Sequence, residues 1–209
     1  MPIIQIQEIN NYCKWGIWEI NESLDELIHK VDFDIEDKSE YEQIHNETKQ
    51  LEWLTGKLLI KGLVEHCGAK YSGIYKDSQG KPFLHNLPYH ISITHSNKYV
   101  GCIINFRSSV GIDLEKIKVK VHNVQTKFLS APEIETANED LETLTKFWCA
   151  KEALYKLIGK KGVIFSRDIN VDLNIESLNG SGFIYYNGIV YTKDIQIKKL
   201  EDYIVALAL

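Results

Sequence analysis

Three carboxylates and an amine in this sequence have the types and spacing that chemistry at a phosphate calls for. Asp113 and Glu115 stand two apart in Val110-Gly111-Ile112-Asp113-Leu114-Glu115. That stretch reads as a strand, so both acids share one face while Ile112 and Leu114 turn to a core. Trp148, Glu152 and Lys156 recur at i, i+4 and i+8 and share one face of a helix, with Lys151 beside them. Taken singly, these are a polar strand edge in water and a surface ion pair contributing about 0.2–0.5 kcal/mol. Taken together, they put three oxygen donors on two rigid elements. Such a set suits a hard cation such as Mg²⁺, with Mn²⁺ as an alternative, because Mg²⁺ takes one or two carboxylates and completes its octahedron with water and substrate phosphate.

Cations of the kind that hold phosphates accompany the acids: Lys57, Lys81, Lys151, Lys156 and His95. Lys81 lies between Gly80 and Pro82, a tight turn able to present its side chain. His95 ends a strand-like run beside Thr94 and Ser96, both hydrogen-bond donors. His90 and His95 are five apart and point to opposite faces of a strand, which argues against zinc.

The elements that position these groups are read from pattern. Lys146–Leu157 contains no Gly or Pro, and Phe147, Ala150, Leu154, Leu157 and Ile158 form an apolar stripe on a helix. A second amphipathic helix is expected from about Thr48 to Glu65, with Leu51, Leu54, Leu58 and Leu59 inward. Tyr12–Ile20 reads as a strand, and Asn21-Glu22-Ser23 as the cap of a helix through Leu24, Leu27 and Ile28. Asp32–Asn46 is acidic and weakly periodic, a short helix or surface loop. A short strand is expected at Tyr71–Tyr75. Tyr89–His95 and Tyr99–Phe106 flank the turn Ser96-Asn97-Lys98 and form a hairpin. After a Lys-rich segment, the Lys146–Leu157 helix and the loop Gly159–Gly162, three or four strands close the chain at Tyr203–Leu209.

The 209 residues are 44% hydrophobic and 25% charged, the composition of a soluble globular protein. A net charge of −5 argues against a general nucleic-acid binder. Cys13, Cys67, Cys102 and Cys149 are scattered without a C-x-x-C pair, as in a reduced cytoplasmic protein. Met1–Glu8 lacks the basic and apolar regions of a leader, and no segment is long enough to span a bilayer. The expected location is therefore the cytoplasm, with neither membrane nor nucleic acid as partner.

An internal repeat is visible. Gly16-Ile17-Trp18-Glu19 resembles Gly111–Glu115, 95 positions on, and Trp53, Lys57 and Lys61 match Trp148, Glu152 and Lys156 at the same offset. The run from Tyr99 resembles the run from Tyr203. The expected fold class is therefore α+β, as two similar α+β halves, 1–107 and 108–209, joined near Arg107.

Gly111-Ile112-Asp113-Leu114-Glu115-Lys116 followed by Trp148-Cys149-Ala150-Lys151-Glu152-Ala153-Leu154-Tyr155-Lys156 resembles the paired signature of the 4′-phosphopantetheinyl transferases. Ile93-Thr94-His95-Ser96 and Gly80-Lys81-Pro82 resemble further motifs of the longer, surfactin-synthetase-activating type. These motifs run in the family order and cover roughly residues 50 to 165. The first 50 residues and the last 40 carry no signature. The resemblance implies a monomer whose two halves are related by pseudo-two-fold symmetry, the N-terminal half binding coenzyme A phosphates and the C-terminal half holding the metal.

The family moves the phosphopantetheine arm of coenzyme A to a serine of a carrier protein and releases adenosine 3′,5′-bisphosphate. The resemblance implies Asp113 and Glu152 as Mg²⁺ ligands, with Glu115 direct or through water. It implies Glu152 as the base for the serine, Lys156 at the leaving phosphate and Lys151 at the pyrophosphate. His95 with Thr94 would contact a coenzyme A phosphate, and Lys57, Lys81 and Pro82 the 3′-phosphate and adenine end. The family usually has Arg where Lys57 stands, and lysine cannot make a bidentate phosphate contact. An acidic apo carrier protein would dock on Lys116, Lys118 and Lys120, which alternate as on a strand, with Lys127 beyond. Two rivals share the residues: a coenzyme A or carrier-binding protein without turnover, and a metal-dependent phosphodiesterase acting through water.

Overall fold

A computed structural model describes residues 3–209; Met1 and Pro2, which open the stretch read above for a leader, lie outside the described residues. The chain divides into two compact units. One comprises the residues up to Asp77 with Pro82–Arg107, the other Ser78–Lys81 with Ser108–Leu209.

The first unit begins with β1 (Ile3–Asn10) and β2 (Cys13–Glu19), then α1 (Leu24–Ile28), α2 (Ile35–Glu42) and α3 (Glu47–His66). It ends with β3 (Ile74–Lys76), β4 (Pro82–Leu84), β5 (His90–Ser96) and β6 (Tyr99–Asn105). Ser23 caps α1 in a reciprocal capping box with Glu26. Asn46 caps α3 by accepting from the Lys49 amide at 3.1 Å. The β5–β6 hairpin turns on Asn97 at φ 51°, a left-handed conformation that Asn tolerates. Leu54, Leu59, Ile60, Leu63 and Val64 of α3 pack on Trp18, Ile91, Val100, Cys102 and Ile104. Leu51 and Leu58, expected inside, are only partly buried. The short strand sits at Ile74–Lys76 rather than at Tyr71–Tyr75, in register with Pro82–Leu84.

The second unit runs through β7 (Gly111–Lys116), α4 (Lys120–Phe128), α5 (Ala131–Ala137), α6 (Leu141–Ile158) and α7 (Phe165–Asp168). Then come β8 (Ile169–Asn174), β9 (Asn179–Tyr186), β10 (Ile189–Leu200) and β11 (Tyr203–Ala208). Asp140 caps α6 at its start, and Gly159, left-handed at φ 58°, ends it. Phe147, Ala150, Leu154 and Leu157 pack on Ile195, Ile197, Ile204, Ala206 and Ala208. The Asn187-Gly188 turn between β9 and β10 has φ of 51° and 75°, the conformation a two-residue hairpin turn demands.

The α+β class and the two similar halves are borne out by topology. The sheets are antiparallel, ordered β1-β2-β6-β5-β4-β3 and β7-β11-β10-β9-β8. Setting β1 aside, each half follows one plan. A strand leads through helices, the longest of them packed on the sheet, into four strands, the last of which returns beside the first. The matches seen in sequence fall on β2 and β7, on α3 and α6, and on β6 and β11.

The Lys-rich segment departs from expectation. Lys116 ends β7 opposite Tyr203, where β11 begins, so no strand is there to pair with the residues beyond. Lys118 lies in a connection and Lys120 opens α4, so Lys116, Lys118 and Lys120 do not share a strand face. Lys116 is paired with Asp202 at 2.9 Å. Among the described residues, no helix is long and apolar enough to cross a membrane.

Candidate active site

Close approach of α6 to β7 builds the acidic cluster. A Cβ on Gly111 would lie 1.8 Å from the Ala153 carbonyl oxygen, so only glycine allows the helix to pass here. Ala150 and Ala153 are fully buried, as are Ala206 and Ala208 on β11. Asp113 and Glu115 follow Gly111 along the same face of β7, while Ile112 and Leu114 are buried on the other. Small residues thus bring the carboxylate strand against the polar row of α6.

Asp113 is 4% exposed and accepts from the Lys156 ammonium at 2.7 Å; the same ammonium donates to the Ile112 carbonyl at 3.2 Å. Burial pushes the Glu152 carboxyl up to about 7. The charge of Asp113 adds to the rise, Lys156 opposes it, and Glu115 adds again. A carboxyl balanced near neutrality, one helical turn from an ammonium, can take up and return a proton at working pH. Burial also drives the Cys149 thiol well up, with Asp113 and Glu115 contributing, and the thiol donates to the Ile204 carbonyl at 3.5 Å. It is an inert core group.

The donor set suits a hard cation on its chemistry: all three acids are oxygen donors, and their mutual repulsion is part of what raises Glu152. Among the described residues, no three His, Cys, Asp or Glu side chains converge as a ready-made cage. Mg²⁺ does not require one, since water and substrate phosphate fill most of its shell.

Lys151 is a correction. It is fully buried, and its ammonium donates to the carbonyls of Phe128 at 2.7 Å and Phe165 at 3.1 Å and to Glu133 at 2.6 Å. Glu133 in turn accepts from the amides of Ser130 and Val171. Burial lowers the Lys151 ammonium from its usual value, with Glu133 opposing. Lys151 ties α4, α5 and α7 to α6 and presents no charge to a pyrophosphate. Trp148 also faces inward, edge-on to Phe128 at 4.9 Å and beside Phe165 at 5.8 Å.

Lys81 follows the same pattern. Its ammonium donates to the Leu157 carbonyl and its chain lies over Gly159, so it caps the C-terminal end of α6, where a cation is favoured. Pro82 opens β4 opposite Lys76. Neither geometry points to a 3′-phosphate.

In the first unit, Lys57 is buried against Asp37 and lies over the Trp53 ring at 5.0 Å. It lines a cavity of ≈ 320 Å³ whose charged lining is Asp32, Asp34, Asp37 and Glu65 against Lys57, Lys61 and Lys70. Its charge is neutralised in place and the surroundings lean acidic, contrary to the expected phosphate contact. Thr94 and His95 alternate on β5: Thr94 is buried, while the His95 side chain is 46% exposed. The expected joint contact of Thr94 and His95 with one phosphate is not what this strand offers.

Sequence reasoning missed two acids that hold site-related side chains. Glu133 anchors Lys151, and its signal was the Ser-x-x-Glu box Ser130–Glu133. Glu52 lies beside His95, and its signal was the i,i+3 pairing with Lys49. Residues 109–208 match the family model described as the 4′-phosphopantetheinyl transferase superfamily. No curated protein matches the chain.

Proposed function

From the match of residues 109–208 to the 4′-phosphopantetheinyl transferase superfamily, we propose that this protein transfers the phosphopantetheine arm of coenzyme A to a serine of an apo carrier protein. The observation that carries the reading is Glu152, with its carboxyl near 7, grouped with Asp113, Glu115 and Lys156 on one strand and one helix.

In the reaction, the serine oxygen attacks the phosphorus attached to the pantetheine arm. The phosphoanhydride bond breaks, and adenosine 3′,5′-bisphosphate leaves with the bonding electron pair. Glu152 accepts the serine proton, a role its raised value suits. Lys156 stabilises the charge developing on the leaving phosphate, or gives it a proton, from its place beside Asp113. Asp113 and Glu152, with Glu115, would hold Mg²⁺ or Mn²⁺. Bound there, the cation supplies neutralisation of the pyrophosphate charge. His95 is assigned to a phosphate of coenzyme A. Lys151, Lys57 and Lys81 are given no ligand role, since their ammonium groups serve the fold.

The test is to incubate the protein with coenzyme A, Mg²⁺ and a panel of apo carriers and to weigh each carrier. A gain of one phosphopantetheine, with adenosine 3′,5′-bisphosphate released in equal amount, is expected. Nucleotide released without any carrier would mark a hydrolase. Binding of coenzyme A with neither product would mark a binding protein.

A further inference from the structure

A second acid, remote in sequence from the carboxylate cluster, is buried at a histidine. Glu52 lies on α3 with its side chain 6% exposed. Its Oε2 accepts from the Lys49 ammonium at 2.6 Å and lies 3.2 Å from Nδ1 of His95 on the neighbouring strand β5. Burying a carboxylate is costly unless donors compensate. Here the donors are a flexible lysine, largely exposed, and one defined nitrogen of an imidazole.

The geometry points to Glu52 as the positioning residue of His95. A carboxylate against Nδ1 keeps the proton on that nitrogen and fixes the plane of the ring. With Nδ1 committed, Nε2 is the atom the half-exposed ring turns to an anionic group. Lys49 donates to the same carboxylate oxygen that faces the imidazole, so one oxygen of Glu52 holds both cationic partners. The anionic group, under the function proposed above, is a phosphate of coenzyme A. The Glu52–His95 relationship itself does not depend on that reading.

Two measurements on the full chain test it. In the first, side-chain ¹⁵N resonances of His95 are recorded without ligand for wild type, Glu52→Gln and Glu52→Asp. The wild-type ring should carry its proton at Nδ1, Glu52→Gln should shift the resonances, and Glu52→Asp should largely restore them. A His95 spectrum indifferent to Glu52→Gln overturns the proposal. In the second, coenzyme A is titrated calorimetrically into wild type, His95→Ala, Glu52→Gln and the double variant. Each single change should weaken binding roughly tenfold, the worth of one charge-assisted contact. The double variant should bind no more weakly than His95→Ala, because one residue acts through the other. Full additivity would show that Glu52 acts elsewhere and would overturn the proposal. If the resonances shift while neither change alters coenzyme A affinity, the positioning role stands and the assignment of His95 to coenzyme A falls.

Discussion

The Lys156 ammonium sits 2.7 Å from the Asp113 carboxylate. A cation therefore already holds one oxygen of the acid proposed above as a metal ligand. A divalent ion that took the same oxygen, Oδ1, would displace the ammonium from Asp113 and free it for a phosphate. Lys156→Met should therefore tighten Mn²⁺ or Mg²⁺ binding to the ligand-free protein, by roughly tenfold or about 1.4 kcal/mol. Calorimetry or Mn²⁺ paramagnetic resonance reads this without any turnover. Unchanged or weaker affinity would mean that metal and ammonium do not compete.

Glu152 makes stability depend on pH. Its folded value of about 7 lies above the ordinary 4.5, so the fold favours the neutral acid. That contribution is fully present below the ordinary value and is lost as the pH rises through about 7. Between those limits, metal-free wild type should lose on the order of 3 kcal/mol relative to Glu152→Gln. Melting curves of the two proteins should diverge across this window, and Mg²⁺ should restore wild type above it. Parallel curves would show that the acid is not perturbed.

For turnover, Glu152→Gln should lower kcat by about 10²–10⁴, the usual worth of a positioned base, with the fold intact. The carrier mass assay and circular dichroism check both halves of that statement. Near-normal turnover would remove Glu152 from the reaction.

Lys151→Met should behave as a core lesion. Removing one partner of a buried pair typically costs about 3–5 kcal/mol. Since about 1 kcal/mol moves the melting temperature of a chain this size by roughly 2–4 °C, the loss should be large. Whatever protein remains folded should keep its KM for coenzyme A. A raised KM at unchanged melting temperature would instead return Lys151 to the pyrophosphate.

Two glycines on equivalent scaffolds should respond in opposite ways. Gly111→Ala sets a methyl 1.8 Å from a backbone oxygen and should unfold the second unit or displace α6. Gly56→Ala meets Ile93 at 3.5 Å, an ordinary contact, and should stabilise α3 by about 0.5–1 kcal/mol. Thermal melts of both variants are sufficient.

What was legible in the sequence was whatever local pattern determines. Strand alternation gave β7, and the apolar stripe gave α6, though the helix starts at Leu141, five residues before the stretch read from sequence. α4 and α5 went unread because Lys116, Lys118 and Lys120 imitate a strand. Two competing signals were present: the helical spacing of Val121, Val124 and Phe128, and the capping box of Ser130 and Glu133. Which of two adjacent residues on α6 faces inward was not legible, and lysine is so seldom buried that Lys151 was assigned to ligand and not to core. The alternation that separated His90 from His95 also separates Thr94 from His95. The ion pair of Lys57 was not legible for a different reason: its partner Asp37 comes from α2, a segment whose contacts no short-range pattern discloses.

The position of β7 in its sheet carries one more implication. Among the described residues it is an edge strand whose ladder partner is β11, so Asp113 is held opposite Ala206. Helix α6 and the β8–β10 meander can assemble from near neighbours, while β7 gains its ladder only after the longest loop of the unit has closed. The ladder that holds the acidic cluster is thus the most non-local pairing of this half. Trimming β11 would remove the partner that holds Asp113 and Glu115 in place without altering either acid, and hydrogen exchange should find the amides of β7 among the first in this sheet to open.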